Sequence, residues 1–325
     1  MTAALADTIA SPDAYLHSFD GADAILVPMD RAAYRRSIFL DRRISPAAAG
    51  TARVPAEELA RAAPAPQPAQ WIFHVAHCGS TLLARALDEL GAGDNGGLVL
   101  REPFALRQLA LDPDPARLPA TLGMLARRYP GAGPTLIKAN VPVNFLLGEI
   151  AAAGAIGRAI VLYCGLEDYL AAILRSDNHR AWLRGVTAQL AAHLGDTAGL
   201  SDGELGAALW IAQQRRFAAL IAAQPGIRSL DAERFFAAPA DALRAAVDHL
   251  GGAATEAEIA ALVAGPLFAT YSKNPAAAFD NAARLARRAA IAATLAGEVA
   301  AARDWLGRRA ADADAVSAAV KAAAL

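Results

Sequence analysis

The feature that most limits what this chain can fold into is an apolar run that passes through a glycine-containing turn directly into a helix. The run is Trp-Ile-Phe-His-Val at 71–75, and its aromatic and β-branched side chains are typical of a buried parallel strand. Leu and Ala residues then recur with helical spacing from Thr81 to Leu90, and Gly91 is placed to end that helix. A strand that leads straight into a helix is the repeating unit of α/β proteins, so this segment predicts an α/β fold.

The same pattern of strand, loop and helix recurs along the rest of the chain. Short apolar runs predict four further strands, at 98–100, 135–137, 159–163 and 227–230. Helical segments separate these strands, which predicts crossover connections and a mostly parallel central sheet flanked by helices in three layers. A glycine-rich loop is expected at 93–97, between the first helix and the second strand.

Proline content indicates where the chain divides. Residues 62–69 read Ala-Ala-Pro-Ala-Pro-Gln-Pro-Ala, which is typical of a semi-rigid, extended linker. We therefore expect a small N-terminal segment at 1–61, this linker, and one α/β domain at 70–325. The C-terminal part of that domain, 280–324, is expected to be helical throughout, with a break near Gly307.

Composition excludes several classes of protein. A formal net charge of −1 over 325 residues is unlike the basic surface of a dedicated nucleic-acid-binding protein. The longest stretch without a charged residue, 62–84, contains three prolines, so no membrane-spanning helix is expected there. Residues 1–10 lack the pattern of a secretory signal, and two cysteines are too few for a disulfide framework. We therefore do not expect the protein to bind nucleic acid or a membrane, and a cytoplasmic location is the default expectation.

The turn itself, His77-Cys78-Gly79-Ser80-Thr81, has the properties of an anion-binding site. The first N–H groups of a helix lack intrahelical partners, and the helix dipole places partial positive charge beside them. Gly79 permits a positive φ and close approach of an anion, while Ser80 and Thr81 supply hydroxyl groups. The alternative is a simple helix cap formed by Ser80 or Thr81, with nothing bound.

An ordinary ATPase or GTPase loop does not match this turn. That loop requires Gly, four residues, and then Gly-Lys-Ser/Thr. Aligning its second glycine with Gly79 places His74 at the first glycine and Ser80 at the lysine. The match fails at two fixed positions.

Other polar residues follow the predicted strands at the same edge of the sheet. Ligands of open parallel sheets bind beyond the carboxyl ends of the strands. Besides the turn, the residues at those ends are Arg101 and Glu102, Lys138 to Asn140, Cys164 to Glu167, and Asp231.

Residues 73–87, Phe-His-Val-Ala-His-Cys-Gly-Ser-Thr-Leu-Leu-Ala-Arg-Ala-Leu, resemble the phosphosulfate-binding loop of sulfotransferases and a similar signature of proteobacterial proteins. The order of later segments is also similar to that family, at Leu100 to Pro103, Leu136 to Lys138, Arg228 to Leu250, and Tyr271 to Asn274. The resemblance implies a P-loop-type fold, a nucleotide donor such as 3′-phosphoadenosine-5′-phosphosulfate, and transfer of a sulfonate to a small-molecule or peptide acceptor.

The chain departs from the family pattern at two places. His77 stands where the loop of the family has Lys or Arg. Alignment on Asp168 places Cys164 and Ala172 where the family has the Arg and Ser that hold the 3′-phosphate. A thiol cannot replace the bidentate contacts of a guanidinium. Either the donor differs, or recognition of this phosphate has moved to other residues, for which the candidates are Arg175, Ser176, Arg180 and Lys273.

The resemblance also implies roles in catalysis. His77 would stabilise charge on the transferring group, Lys138 and Lys273 would neutralise the leaving group, and Glu102 would deprotonate an acceptor hydroxyl or amine. The alternatives are a Glu102 that pairs with Arg101 or caps a helix, and a solvated Lys138 at a strand end.

Three residues have a structural interpretation that competes with a functional one. Cys78 and Cys164 could be nucleophiles, but small buried core residues are the commoner use of cysteine. His74 lies within a strand and is expected to be a hydrogen-bonded core histidine.

The function predicted from the sequence is a sulfotransferase-like group transfer from a nucleotide donor. Two alternatives stay open. One is an ATP- or GTP-dependent phosphotransferase with a divergent loop. The other is a non-catalytic anion- or nucleotide-binding protein that has lost the 3′-phosphate site, since fold alone does not confer activity.

Overall fold

The computed structural model describes residues 2–91 and 96–325. The N-terminal part contains α1 (Thr2–Ala10), β1 (Ala14–Asp20), β2 (Asp23–Pro28), α2 (Arg31–Arg36), β3 (Ala52–Pro55) and α3 (Ala56–Ala62). Strands β1, β2 and β3 form an antiparallel sheet in that order. The segment shares the protein's main hydrophobic core, because Tyr15, Leu16, Leu40 and Leu59 are fully buried within it. The division at 62–69 stays a prediction.

The middle of the chain alternates strands and helices. Its elements are β4 (Ala69–His74), α4 (Ser80–Leu90), β5 (Val99–Arg101), α5 (Phe104–Leu111), α6 (Arg117–Leu125), β6 (Leu136–Lys138), a 3₁₀ helix (Val141–Leu146), α7 (Leu147–Ala152), β7 (Ile156–Tyr163), α8 (Leu166–Ile173), α9 (Asp177–Gln189), α10 (Ala191–Leu194), α11 (Asp202–Ala223) and β8 (Ile227–Asp231). Of the predicted loop at 93–97, residues 93–95 lie outside the described residues.

Helices dominate the C-terminal part. Its elements are α12 (Ala232–Ala237), α13 (Pro239–Leu250), α14 (Glu256–Val263), α15 (Pro266–Ala269), β9 (Thr270–Tyr271), β10 (Asn274–Ala278), α16 (Asn281–Thr294), α17 (Ala296–Arg309) and α18 (Ala313–Ala322). The break predicted near Gly307 lies slightly later, because α17 continues through Gly307 to Arg309 and the break falls at 310–312; a second break, which was not predicted, falls at Leu295. A Cβ added at Gly307 would meet nothing within 4 Å, so no close contact requires glycine there.

The central sheet has five parallel strands in the order β5-β6-β4-β7-β8, which confirms the predicted α/β arrangement. One group of helices packs around α4 with α13 and α14, and a second group packs around α11 with α8, α9, α17 and α18. Register pairs Lys138 of β6 with Arg101 of β5 and with Ile72 of β4. The ends of these strands therefore meet at one edge, where the turn after β4 also lies.

No helix within the described residues is long and apolar enough to cross a lipid bilayer.

A buried arginine ties the N-terminal segment to the sheet. The side chain of Arg101 is 2% exposed and its Nη1 lies 2.5 Å from Asp88 Oδ2 of α4. Its remaining N–H groups donate to the backbone carbonyls of Tyr34, Arg35 and Ser37 at 2.7–3.2 Å. The alternative pairing of Arg101 with Glu102 is therefore wrong: the guanidinium points away from the cavity edge and into the junction with the N-terminal segment.

We expect Arg101→Met to destabilise the protein by about 3–5 kcal/mol, because it leaves the mostly buried Asp88 carboxylate with only a long contact to Arg35 at 4.0 Å and several carbonyls without partners. Chemical denaturation measures this change. Arg61→Met, which removes an exposed pair on α3, serves as the control and should leave the midpoint almost unchanged. Equal midpoints for the two variants would contradict the structural role of Arg101.

Candidate functional site

A cavity of about 600 Å³ lies at the carboxyl edge of the central sheet. It contains most of the residues singled out in the sequence, namely His77, Cys78, Gly79, Ser80, Thr81, Glu102, Arg175 and Lys273. Lys138 and Ser176 do not line it. The walls come from the β4–α4 turn, from the ends of β5 and β7, from the β9–β10 hairpin, and from α16. The cavity is thus where the sheet topology brings distant segments together.

The β4–α4 turn has a left-handed backbone at two positions. The φ angle is 60° at His77 and 88° at Gly79. Only glycine suits the second position, because a Cβ added there would lie 2.7 Å from Phe236 Cζ. The Sγ of Cys78 donates to the carbonyl of Val75 at 2.9 Å, which holds the thiol inward. The turn therefore presents its backbone, not the Cys78 side chain, to the cavity.

The helix N-terminus carries an unused hydroxyl group. Thr81 is 2% exposed and lines the cavity, and its Oγ1 has no hydrogen-bond partner among the described residues. A buried hydroxyl without a partner is costly in a folded protein. The alternative in which Thr81 only caps the helix is not supported, since this hydroxyl makes no capping bond. An anion at the turn would accept from it together with the free N–H groups of the helix.

His77 is surrounded by cations and aromatic rings. Its ring lies 4.8 Å from that of His179 and 5.4 Å from that of Trp182, both on α9. Burial holds its pKa well below the usual range, and the positive charges of Lys273 and Arg175 act in the same direction. The imidazole is consequently neutral at pH 7 unless an anion binds beside it.

The two cysteines are not activated thiolates. Burial raises the pKa of Cys78 to about 11 and also raises that of Cys164. Both are fully buried in the core, which agrees with the structural interpretation. His74 is likewise a buried core residue, with its ring nitrogens 2.7 Å and 2.8 Å from the carbonyls of Val75 and Ala139.

Glu102 and Lys138 form a buried ion pair at the cavity wall. Lys138 is 0% exposed, and its Nζ contacts Oε1 of Glu102. It is therefore neither a solvated strand-end lysine nor a residue that meets a ligand directly, because the Glu102 carboxylate lies between it and the cavity. Burial, the largest single effect, would raise the pKa of Glu102, but Lys138 together with His74 and Lys273 outweighs it and the net shift is downward. The cavity thus contains an ionised carboxylate.

Lys273 lies in the turn between β9 and β10. The carbonyl of its neighbour Ser272 accepts from Arg85 Nη1 of α4 at 3.0 Å, which fixes the hairpin beside the anion-binding turn. Burial lowers the pKa of Lys273, and the positive charge of Lys138 lowers it further. The negative charge of Glu102 acts in the opposite direction. Lys273 also lowers the pKa of His77, so it is close to both halves of the site.

A pair of arginines faces the cavity without an acidic partner. The Nη2 atom of Arg175 lies 2.8 Å from Nε2 of His179. Arg287 of α16 donates from Nη1 to the hydroxyl of Tyr271 at 2.7 Å. Neither makes a salt bridge among the described residues. Burial lowers the pKa of Arg175, and Tyr271 opposes this effect. The positive charge of Arg287 lowers the pKa further, which shows that the guanidinium groups of Arg175 and Arg287 are close together. Two neighbouring cations with only neutral partners are a suitable place for an anion.

The remaining candidates are committed to other contacts. Ser176 precedes α9, and its Oγ lies 2.6 Å from His179 Nδ1. Arg180 pairs with Asp202 and Glu298 outside the cavity. Two further cavity arginines on α16 are also neutralised, since Arg284 pairs with Glu233 and Arg288 with both Asp168 and Glu233.

Arg287 was not among the residues predicted from sequence. The available signal was the spacing of Arg284, Arg287 and Arg288, which places three basic residues on one face of a helix. That spacing is more often a solvated surface, and only the packing of α16 against α8 brings it to the cavity.

Comparisons with known proteins give distant similarities. No protein-family model matches the chain, and no curated protein matches it. A sulfotransferase domain from the curacin biosynthetic pathway is 10% identical over 62% of this chain and 80% of that domain, with a TM-score of 0.41. A sulfotransferase from Alicyclobacillus acidocaldarius is 15% identical over 57% of this chain and 82% of its own, with a TM-score of 0.37. A sulfotransferase domain from the Synechococcus PCC 7002 olefin synthase is 15% identical over 72% of this chain and 96% of its own, with a TM-score of 0.36. Similarity this distant does not assign the chain to a family or an activity.

We expect Gly79→Ala to destabilise the protein by more than about 1 kcal/mol and to abolish anion binding at the turn, because the backbone there is left-handed and Phe236 occupies the space. Gly165→Ala, at the end of β7, is the matched control, since its φ is −62° and nothing lies within 4 Å. Thermal unfolding with and without pyrophosphate measures both effects. A Gly79→Ala protein that retains full pyrophosphate stabilisation would contradict an anion site at this turn.

Proposed function

We propose that the protein is a sulfotransferase-like group transferase that takes a nucleotide-linked anion as donor and a hydroxyl or amine compound as acceptor. The observation that carries the proposal is the sharing of one cavity by an anion-binding turn and an ionised carboxylate. Lys273 is electrostatically coupled to His77 on one side and to Glu102 on the other. A donor anion and an acceptor would therefore meet beside this ammonium group.

The donor half of the site is the β4–α4 turn. Its N–H groups and the unpartnered hydroxyl of Thr81 favour a phosphate or sulfonate group. Binding of that anion would raise the depressed pKa of His77, because a nearby negative charge favours the imidazolium form. A protonated His77 then supplies the positive charge that the family obtains from Lys or Arg at this position.

The acceptor half is built around Glu102. Its carboxylate would take the proton from an acceptor hydroxyl as the oxygen forms a bond to sulfur. The bond from sulfur to the bridging phosphate oxygen breaks in the same step, and that oxygen leaves with the electron pair. Lys273 and His77 would stabilise this leaving oxygen. Lys138 does not line the cavity, but its contact with Glu102 keeps that carboxylate ionised, so Lys138 is a positioning residue. Catalysis rests on position and charge, as in phosphoryl transfer.

The residues that hold a second donor phosphate differ from the family pattern. Cys164 and Ala172 line the cavity where the family has Arg and Ser, and neither side chain can bind a phosphate. Arg175 and Arg287 are two guanidinium groups without counterions in the same cavity. We assign the second phosphate to this pair. The residues thus fit a donor with two separate anionic groups, held partly by α16.

We expect transfer of labelled sulfonate from 3′-phosphoadenosine-5′-phosphosulfate to a panel of alcohols, phenols and amines. The double variant Glu102→Gln/Lys138→Met should lose transfer while it still binds the nucleotide. Removing both partners together avoids leaving one buried charge unpaired, which the single variants would do. An absence of transfer by the unaltered protein to every acceptor, or a fully active double variant, would contradict the proposal.

We expect adenosine 3′,5′-bisphosphate to bind about tenfold or more tightly than adenosine 5′-monophosphate, and Arg287→Gln to remove this preference without changing affinity for the monophosphate. Isothermal titration calorimetry measures both, with the 2′,5′-isomer as a third ligand. The control is Arg303→Gln, whose arginine pairs with Glu167 on another helix. Tighter binding of ATP or GTP with Mg²⁺ than of any bisphosphate would favour the phosphotransferase alternative.

A further inference from the structure

The acceptor half of the cavity contains a cation that the proposed transfer does not use. Arg107 of α5 lines the cavity, and its Nη2 donates to the neutral Oε1 of Gln189 at 3.0 Å. No carboxylate of the described residues forms a salt bridge with it. Burial lowers the pKa of Arg107, and the negative charges of Glu102 and Asp41 act against this. The guanidinium therefore lies near the proposed base but is not neutralised by it.

The other charges around Arg107 are already matched. Glu102 is paired with Lys138, whose ammonium contacts its carboxylate. Arg43 also lines the cavity, and its Nε and Nη2 donate to the Asp41 carboxylate at 2.5–3.2 Å. Two cations near Glu102 then have no salt bridge among the described residues, Arg107 and Lys273, and Lys273 is already assigned to the leaving group. A partly buried guanidinium with four of its five N–H donors outside the Gln189 contact is suited to a planar, bidentate acceptor such as a carboxylate.

Two further residues of the cavity indicate which other groups an acceptor molecule would carry. Phe39 offers an aromatic surface in the cavity wall, with the Arg43 guanidinium 4.0 Å from its ring centroid. Asn140 is 6% exposed and also lines the cavity, and its Oδ1 has no hydrogen-bond partner among the described residues. A buried amide oxygen without a partner suits a donor group of a ligand other than the reacting hydroxyl, whose single hydrogen goes to Glu102. The acceptor half thus combines an anion site, an apolar wall and a hydrogen-bond acceptor.

We propose that the acceptor is a hydroxy acid, whose carboxylate binds Arg107 and whose hydroxyl is presented to Glu102 beside Asn140. This inference rests on the proposed transferase function. The carboxylate belongs to the acceptor and not to the donor, because the donor's anionic groups are accounted for by the β4–α4 turn and by Arg175 with Arg287. Arg107 lies instead on α5, which follows β5 and Glu102 directly in the chain.

The experiment compares acids with their uncharged esters, in the absence of any donor. The probes are 3-hydroxybutyrate, 4-hydroxyphenylacetate and glucuronate, each with its methyl ester, which keeps the hydroxyl and removes the charge. Binding to the full chain is measured by calorimetry or by ligand-observed NMR. We expect at least one acid to bind about tenfold or more tightly than its ester, as for a hydrogen-bonded charge pair. Arg107→Gln should remove that preference, and Arg107→Lys should restore part of it.

Arg42→Gln is the control, because Arg42 is exposed beside Arg43 but does not line the cavity. It should leave the preference unchanged. Equal binding of every acid and its ester, no binding of any acid at millimolar concentration, or a preference that survives Arg107→Gln would each overturn the proposal. Failure of the transferase function is distinguishable, since it would show as acid binding that depends on Arg107 without transfer of labelled sulfonate. Conversely, transfer to neutral alcohols alone would overturn this inference and keep the function.

Discussion

The Lys138–Glu102 ion pair determines the chemistry of the cavity wall. A fully buried ammonium is tolerated only when a counter-charge lies against it, and here the counter-charge is a carboxylate that also faces the cavity. The pairing follows from strand register, since Lys138 ends β6 and Glu102 directly follows β5 beside it. Glu102 has a φ of 58°, a conformation that turns the chain away from the strand at this point. The register at the edge of the sheet therefore places the buried Lys138 against Glu102, and this contact keeps an ionised carboxylate in the cavity.

Charge matching separates the structural cations of this site from those available to a ligand. Arg101, Arg284 and Arg288 each face carboxylates and serve the packing of segments that are distant in sequence. Lys273, Arg107 and the pair of Arg175 with Arg287 have no salt bridge among the described residues. They border one cavity, where Glu102 offsets only part of their positive charge, so an anion that enters the cavity relieves their repulsion. This is a physical reason to expect negatively charged ligands, and it is independent of any resemblance to known enzymes.

The five strands of the central sheet and the turn were predictable from the sequence, whereas the two small antiparallel sheets and the burial of individual side chains were not. Apolar runs such as 71–75 and 159–163 are short, β-branched and bounded by breakers, so their period and length identify them. The break expected near Gly307 falls at 310–312 instead, because a glycine inside a helix is tolerated at modest cost. Lys138 was expected to neutralise a leaving group or, as the alternative, to be a solvated strand-end lysine, because nothing in the local sequence shows that Glu102 would cover it. Arg287 was not predicted as a site residue, because α16 and α8, whose contact brings it to the cavity, are more than a hundred residues apart in the sequence.

The end of β7 at Cys164 supplies no cation to the cavity, whereas the C-terminal helix α16 does. The carbonyl of Cys164 accepts from Trp210 Nε1 of α11 at 3.0 Å and its thiol is buried, so Cys164 lines the cavity without presenting a charge to it. A guanidinium at position 164 would have to be desolvated against that packing, which is costly without a bound anion. On α16 the Arg287 guanidinium stays partly hydrated and needs only a tyrosine hydroxyl to hold it. A cation on a C-terminal helix thus keeps the charge at the cavity while the strand end is used for the core.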